Sequence, residues 1–219
     1  EALKSVLAQT DQNFEILIWD DGSPDDVKGA IYGFDDPRIK YFRSEVNEGH
    51  MVAVNHMLDR AKGEFFISCS ADDMVDPTLY AKLREEFKKD PFLEHVASLN
   101  DFITVDGKPH IEPHPFKTIE RAKNMTREEW QARLRIGNIY FGMGMYRTSA
   151  LREVGGWDPS NGVISDYEMY LKLLPRYNFK IIEENLTHTR IHGDNQSLIY
   201  PEEGKKLRKR YYDAQKKYY

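Results

Sequence analysis

Phe14-Glu15-Ile16-Leu17-Ile18-Trp19 runs directly into Asp20-Asp21-Gly22-Ser23. The first six residues form a near-continuous apolar run, broken only by Glu15. They predict a strand buried on both faces of a parallel sheet. Residues 39–42 and 65–69 read as further strands. Between them Met51, Val54, Leu58 and Ala61 fall on one helical face, with Gly63 at the expected stop. Asp76 and Pro77 read as the N-cap and first position of a helix whose buried stripe is Leu79, Leu83 and Phe87. Strands alternating with helices predict an α/β fold built on an open, mostly parallel sheet flanked by helices.

The second half is less regular. Residues 96–105 read as one or two strands and 106–116 as a loop. Helices are expected at 127–135, 149–154 and 166–177, and strands at 179–182 and 186–191. A last helix, from about residue 202, carries Leu207, Tyr211, Ala214 and Tyr218 on one stripe.

Bulk properties narrow the choice of partners. The 219 residues suit one domain, and the formal net charge of -5 argues against a nucleic-acid binder. Charge is uneven: residues 200–219 hold seven basic and three acidic side chains, so that tail is +4 and the remainder -9. Cys69 is the single cysteine, which excludes an internal disulfide and fits a reducing, cytoplasmic compartment. No apolar run is long enough to span a bilayer. No signal peptide pattern is read at Glu1, and the helical pattern already under way there leads us to expect that the natural N-terminus lies upstream. The sequons at Asn124, Asn185 and Asn195 read as chance matches.

Two acidic turns carry the chemistry. Asp20-Asp21-Gly22-Ser23 follows the first strand, and in open α/β sheets ligands bind beyond the carboxyl ends of strands. Two carboxylates there suit a base and ribose; Asp, Gly and Ser equally suit a plain turn. Ser70-Ala71-Asp72-Asp73 follows the strand at 65–69. Its carboxylates suit Mg²⁺ or Mn²⁺ bridging a diphosphate, and equally a solvated loop or an acid pair capping the next helix.

Read together, these segments resemble the family 2 glycosyltransferases, whose fold is GT-A. Ser5-Val6-Leu7-Ala8-Gln9-Thr10, Phe14-Glu15-Ile16 and Asp20-Asp21-Gly22-Ser23 look like that family's opening. Asn47-Glu48-Gly49 with Asn55, then Ala61-Lys62-Gly63-Glu64-Phe65 leading to the DXD region, follow in order. Gly155-Gly156-Trp157-Asp158 and Ser165-Asp166-Tyr167-Glu168 resemble its acceptor-side region, so the likeness runs from about residue 5 to 197.

The resemblance implies one GT-A domain: residues 1–105 as the nucleotide-sugar half, 106–199 as the acceptor half, and 200–219 as a basic amphipathic helix. It implies that Asp21 contacts the donor base and Asp20 supports that loop. Asp72 matches the metal-binding Asp, with His192 reaching the metal or diphosphate, and Asp166 matches the catalytic base. The implied activity is inverting transfer of a sugar from a nucleotide-diphosphate sugar, of which UDP-sugars are the commonest in the family, to a glycan or lipid-linked acceptor, with Mn²⁺ or Mg²⁺.

Ser70 and Ser165 stand where the family usually carries acids. The family's first strand would lie before Glu1, so a gap is expected in the sheet. These departures support a rival reading, a GT-A module that binds sugar or a protein partner without transfer. Three residues keep two readings each. Asp166 also fits a first-turn acid suited to the helix dipole, beside a Ser165-x-x-Glu168 capping box, and Trp157 fits core packing as well as stacking on an acceptor sugar. A lone His192 also fits an ordinary satisfied polar role. The basic tail reads as a helix packed on the domain, or as a peripheral contact with the inner face of a membrane.

Overall fold

The computed structural model describes residues 1–110, 128–129, 132–133, 143–173, 178–193, 209 and 212–217. In order, the elements are α1 (Ala2–Leu7), β1 (Ile16–Asp21), α2 (Val27–Tyr32), β2 (Ile39–Ser44) and α3 (His50–Arg60). Then come β3 (Phe65–Ile67), β4 (Met74–Val75), α4 (Leu79–Lys89), β5 (Leu93–Ile103) and β6 (Gly144–Arg147). The series closes with α5 (Thr148–Glu153), a 3-10 turn (Pro159–Ile164), α6 (Ser165–Leu173) and β7 (Asn178–Arg190).

Five strands form one sheet in the order β3-β6-β5-β7-β4, while β1 and β2 form a separate parallel pair. The two longest ladders, β1 with β2 and β5 with β7, are parallel; the three short ones are antiparallel. Successive residues along a strand point to opposite faces. Phe66, Ala97 and Tyr146 therefore face one cluster with Val54, Leu58, Leu151 and Trp157, under α3, α5 and α6. Their neighbours Val96 and Met145 face the other, with Leu79, Leu83 and Phe87 of α4. Coverage on both faces explains why β5 is buried from Val96 through Asn100 without alternation.

Several expectations change. β1 and β3 do not share a sheet, and Ile16–Trp19 are half-buried rather than buried on both faces. Among the described residues no ladder joins β1 to β3. Helix α4 begins at Leu79 with Thr78 as N-cap, so Pro77 lies in the turn before it. Asp76 serves that turn instead, accepting from the Thr78 N–H at 2.8 Å and hydroxyl at 2.6 Å. α3 ends at Arg60, before Gly63.

The two strands expected at 179–182 and 186–191 are one strand, β7. Its pairing with β5 jumps from Ser98↔Ile182 to Leu99↔Asn185, so the polar Glu183-Glu184 pair is a bulge and not a strand end. The expected helix at 127–135 and the loop beyond residue 110 lie mostly outside the described residues, as do Leu207, Tyr211 and Tyr218. Residues 212–217 are helical.

Residues of the opening motif turn out to be joints. The Gln9 side chain, 2% exposed, donates to the Asp76 carbonyl at 2.7 Å and accepts from the Tyr80 N–H at 3.0 Å. Ser5 Oγ accepts from the Val75 N–H. Together they fasten α1 to β4 and α4.

Candidate functional site

The turn after β1 is built around two carboxylates with different duties. Parallel register sets Asp20 beside Arg43. Asp20 is buried and accepts from Tyr41 Oη at 2.6 Å, from the Ser23 N–H at 2.8 Å and from the Arg43 guanidinium. Burial pushes its pKa up, but the hydrogen bonds from Tyr41, Ser23 and Arg43 outweigh it and hold the carboxyl at about 2.

Asp21 points onward. Its two oxygens accept from the Glu48 N–H at 2.9 Å and the Gly49 N–H at 2.8 Å, holding the loop that opens α3. Gly22, at φ +66, lies so close to this loop that a Cβ would meet the Val46 carbonyl carbon at 2.6 Å.

The turn after β3 holds the second pair. Asp72 meets His192, just beyond β7, through Oδ2 and Nε2 at 3.0 Å, and both side chains are partly exposed. Asp73 turns inward. Its side chain does not face α4, as the neighbouring turn had suggested; it accepts from the Arg190 N–H of β7 at 3.0 Å. Burial raises the Asp73 carboxyl to about 6 against that hydrogen bond. The Arg190 side chain donates to the carbonyls of Asp72, Thr104 and Val105 and pairs with Glu1, so it is the anchor of this loop.

His50, the first residue of α3, senses both turns. The protein around its ring lowers its pKa, and the carboxylates of Asp21 and Asp72 both oppose that shift. His50 thus feels both carboxylates, and His192 lies beside Asp72.

Asp166 opens α6 and is exposed; its Oδ1 accepts from the Tyr167 N–H at 2.7 Å. Glu168, wholly buried, accepts from the Asp158 N–H at 3.3 Å. Trp157 is 7% exposed within the core, against Phe66 and Tyr146. Its backbone and the Asn55 side chain bond reciprocally, Nδ2 to the Trp157 carbonyl at 2.7 Å and the Trp157 N–H to Oδ1 at 2.9 Å. Asn55 and Gly155-Gly156-Trp157 are thus two halves of one joint between α3 and the segment before α6. Packing, not stacking on a sugar, accounts for Trp157.

The family model for "Glycosyl transferase family 2" matches residues 1–155. The chain belongs to glycosyl transferase family 2. A relative, chondroitin synthase of Escherichia coli, is 27% identical over 198 residues, 90% of this chain but 27% of its own length. The chain therefore spans about a quarter of that curated relative.

Solved structures of GT-A glycosyltransferases share the fold. Staphylococcus aureus TarS in complex with UDP matches with a TM-score of 0.66 at 15% identity, over 98% of this chain and 60% of that one. The mannosyltransferase PcManGT from Pyrobaculum calidifontis, with GDP-Man and Mn²⁺, matches with a TM-score of 0.68 at 14% identity, over 89% and 53%. The family 2 domain here is accordingly GT-A: a mixed sheet flanked by helices, with its acidic turns at the strand ends.

Sequence reading missed Arg43, Tyr41, His50 and Arg190. Arg43 was open to discovery, since two parallel strands bring Asp20 level with it. Arg190 was not, because nothing in its own neighbourhood announces a partner 118 positions away.

Proposed function

We propose that this domain transfers a sugar from a nucleotide-diphosphate sugar to a hydroxyl of a glycan or lipid-linked acceptor, as in polysaccharide synthesis, with inversion at the anomeric carbon. The observation that carries the reading is the pairing of Asp72, in the turn after β3, with His192, just beyond β7, at 3.0 Å. UDP in the TarS structure and GDP-Man with Mn²⁺ in PcManGT support a nucleotide-sugar donor and a divalent cation. The single cysteine, Cys69, supports a cytoplasmic setting.

Asp20, ionised and fixed, keeps the first turn rigid, while Asp21 holds the loop of residues 48–49 and offers its remaining lone pairs to the base. Asp72 and His192 would hold the cation. The Asp72 carboxylate suits Mn²⁺ or Mg²⁺, while the His192 nitrogen is a softer donor that fits Mn²⁺ better than the oxygen-seeking Mg²⁺. Among the described residues no cluster of three or more such ligands occurs. When bound, the cation supplies charge stabilisation for the departing diphosphate. Asp166 would accept the proton of the acceptor hydroxyl as its oxygen attacks the anomeric carbon.

Ser70 and Ser165 favour one rival, a module that binds sugar or a partner without turnover. Asp166→Asn separates the two. It keeps the size of the side chain and an oxygen for the Tyr167 N–H, but cannot take a proton. The transfer rate, read as release of nucleotide diphosphate from a panel of donors, is expected to fall roughly 10²–10⁴-fold with donor affinity and melting temperature near wild type. Wild-type turnover in the variant would remove the base assignment. A wild-type protein that binds UDP with Mn²⁺ but turns over no donor would bring the module forward.

A further inference from the structure

The residues on either side of the α6 start are held by a part of the chain far away in sequence. Gln215 Nε2 donates to Tyr167 Oη at 2.8 Å. Lys217 Nζ lies 3.0 Å from Asp158 Oδ2 and 3.5 Å from Glu168 Oε1. Ala214, 5% exposed, belongs to the same core cluster as Tyr167 and Met169. Tyr167 and Glu168 are both fully buried, and they are the two residues that follow Asp166.

We propose that residues 212–217 form a latch that sets the orientation of Asp166, with Gln215 and Lys217 as positioning residues. The inference rests on the reading of Asp166 as the base. Asp166 is exposed, and its Oδ1 is oriented by the Tyr167 N–H at 2.7 Å. Whatever fixes Tyr167 therefore fixes that oxygen. Gln215 holds the Tyr167 ring from its far end, and Lys217 ties Glu168 to Asp158, which precedes the 3-10 turn. A base must meet its proton within hydrogen-bond reach, and misplacement by about 1 Å can cost on the order of 10²-fold in rate.

Two features separate this role from plain stabilisation. Glu168, a buried carboxylate, also has Lys172 at 3.6 Å and the Asp158 N–H, so it is not left unpaired when Lys217 is removed. Lys217 is itself 53% exposed, where an ion pair adds little to folding. What its removal changes is the tie between the tail and α6.

The test compares Gln215→Leu, Lys217→Met and Lys217→Arg with wild type and Asp166→Asn, in the full chain. Three quantities are read: nucleotide diphosphate release, calorimetric binding of UDP with Mn²⁺, and amide hydrogen exchange at Tyr167 and Glu168. The latch predicts that Gln215→Leu and Lys217→Met lower kcat about tenfold or more, leave donor KM and UDP affinity unchanged, and speed exchange at those two amides about tenfold. Lys217→Arg restores both kcat and exchange. Wild-type exchange at Tyr167 and Glu168 in both variants would overturn the latch whether or not a donor is known. Faster exchange with wild-type kcat would overturn its control of Asp166. Retained turnover in Asp166→Asn would instead overturn the base itself, and the latch with it, an outcome visible in that variant alone.

Discussion

At the scale of single residues, the two acidic turns divide their labour by burial. In each, one carboxylate is buried and holds the turn, Asp20 on Arg43 and Asp73 on Arg190, while its neighbour is half-buried, Asp21 on the loop that opens α3 and Asp72 against His192. Asp72→Ala removes one of the two proposed cation donors and leaves Asp73 in place. Calorimetry with UDP and with GDP, each with and without Mn²⁺, is expected to show the Mn²⁺-dependent part of the affinity falling at least about tenfold. Equal metal dependence in the variant would put the cation elsewhere. Both acidic turns were legible in the sequence, since their place at strand ends marks them; which carboxylate of each pair is buried was not. The buried members' partners differ: Arg43 follows once β1 and β2 are paired in parallel, whereas Arg190 is brought to Asp73 only by a tertiary contact.

At the scale of elements, periodicity was a good guide wherever a stripe meets a core. Leu79, Leu83 and Phe87 line α4 as their spacing predicts, and Val54 and Leu58 line α3. It failed where polarity interrupts a long strand: Glu183-Glu184 read as an end and is a bulge. Motif residues taken for chemistry also proved to be fasteners between elements. Gly156, at φ +66, is the clearest, because a Cβ there would sit 2.5 Å from Asn55 Oδ1 and break the joint between α3 and Trp157. Gly156→Ala combines a left-handed backbone cost of about 1–2 kcal/mol with loss of that joint. A drop of roughly 2–4 kcal/mol in urea-melt stability is expected, against less than about 1 kcal/mol for Gly33→Ala, which has open space and negative φ. Equal losses at the two glycines would mean that the joint carries no strain.

For the molecule as a whole, acid sensitivity has a specific source. His95 on β5 is 3% exposed, stacked 4.0 Å from Tyr146, and its Nε2 has no hydrogen-bond partner among the described residues. Burial pushes its pKa from 6.5 down to about 3. The unfolded chain therefore binds a proton between those values that the folded one refuses. The contribution is whole above pH 6.5 and is lost as pH falls, by about 2 kcal/mol between pH 7 and 5. His95→Phe is expected to remove that part of the difference between urea melts at the two values; an unchanged pH slope would assign it to other groups. Fold class was readable from the alternation of strands and helices. The split into a two-stranded and a five-stranded sheet was not, because the order of strands is decided by pairings between distant segments. The longest of these ladders, β5 with β7, joins residues 93–103 to residues 178–190. During synthesis at ordinary rates, about 90 further residues and on the order of 10 s separate the emergence of the first strand from that of its neighbour. For that interval an eleven-residue strand shows at least one bare edge, and both until β6 is made, which makes the nascent chain a natural client for chaperones well before it is an enzyme.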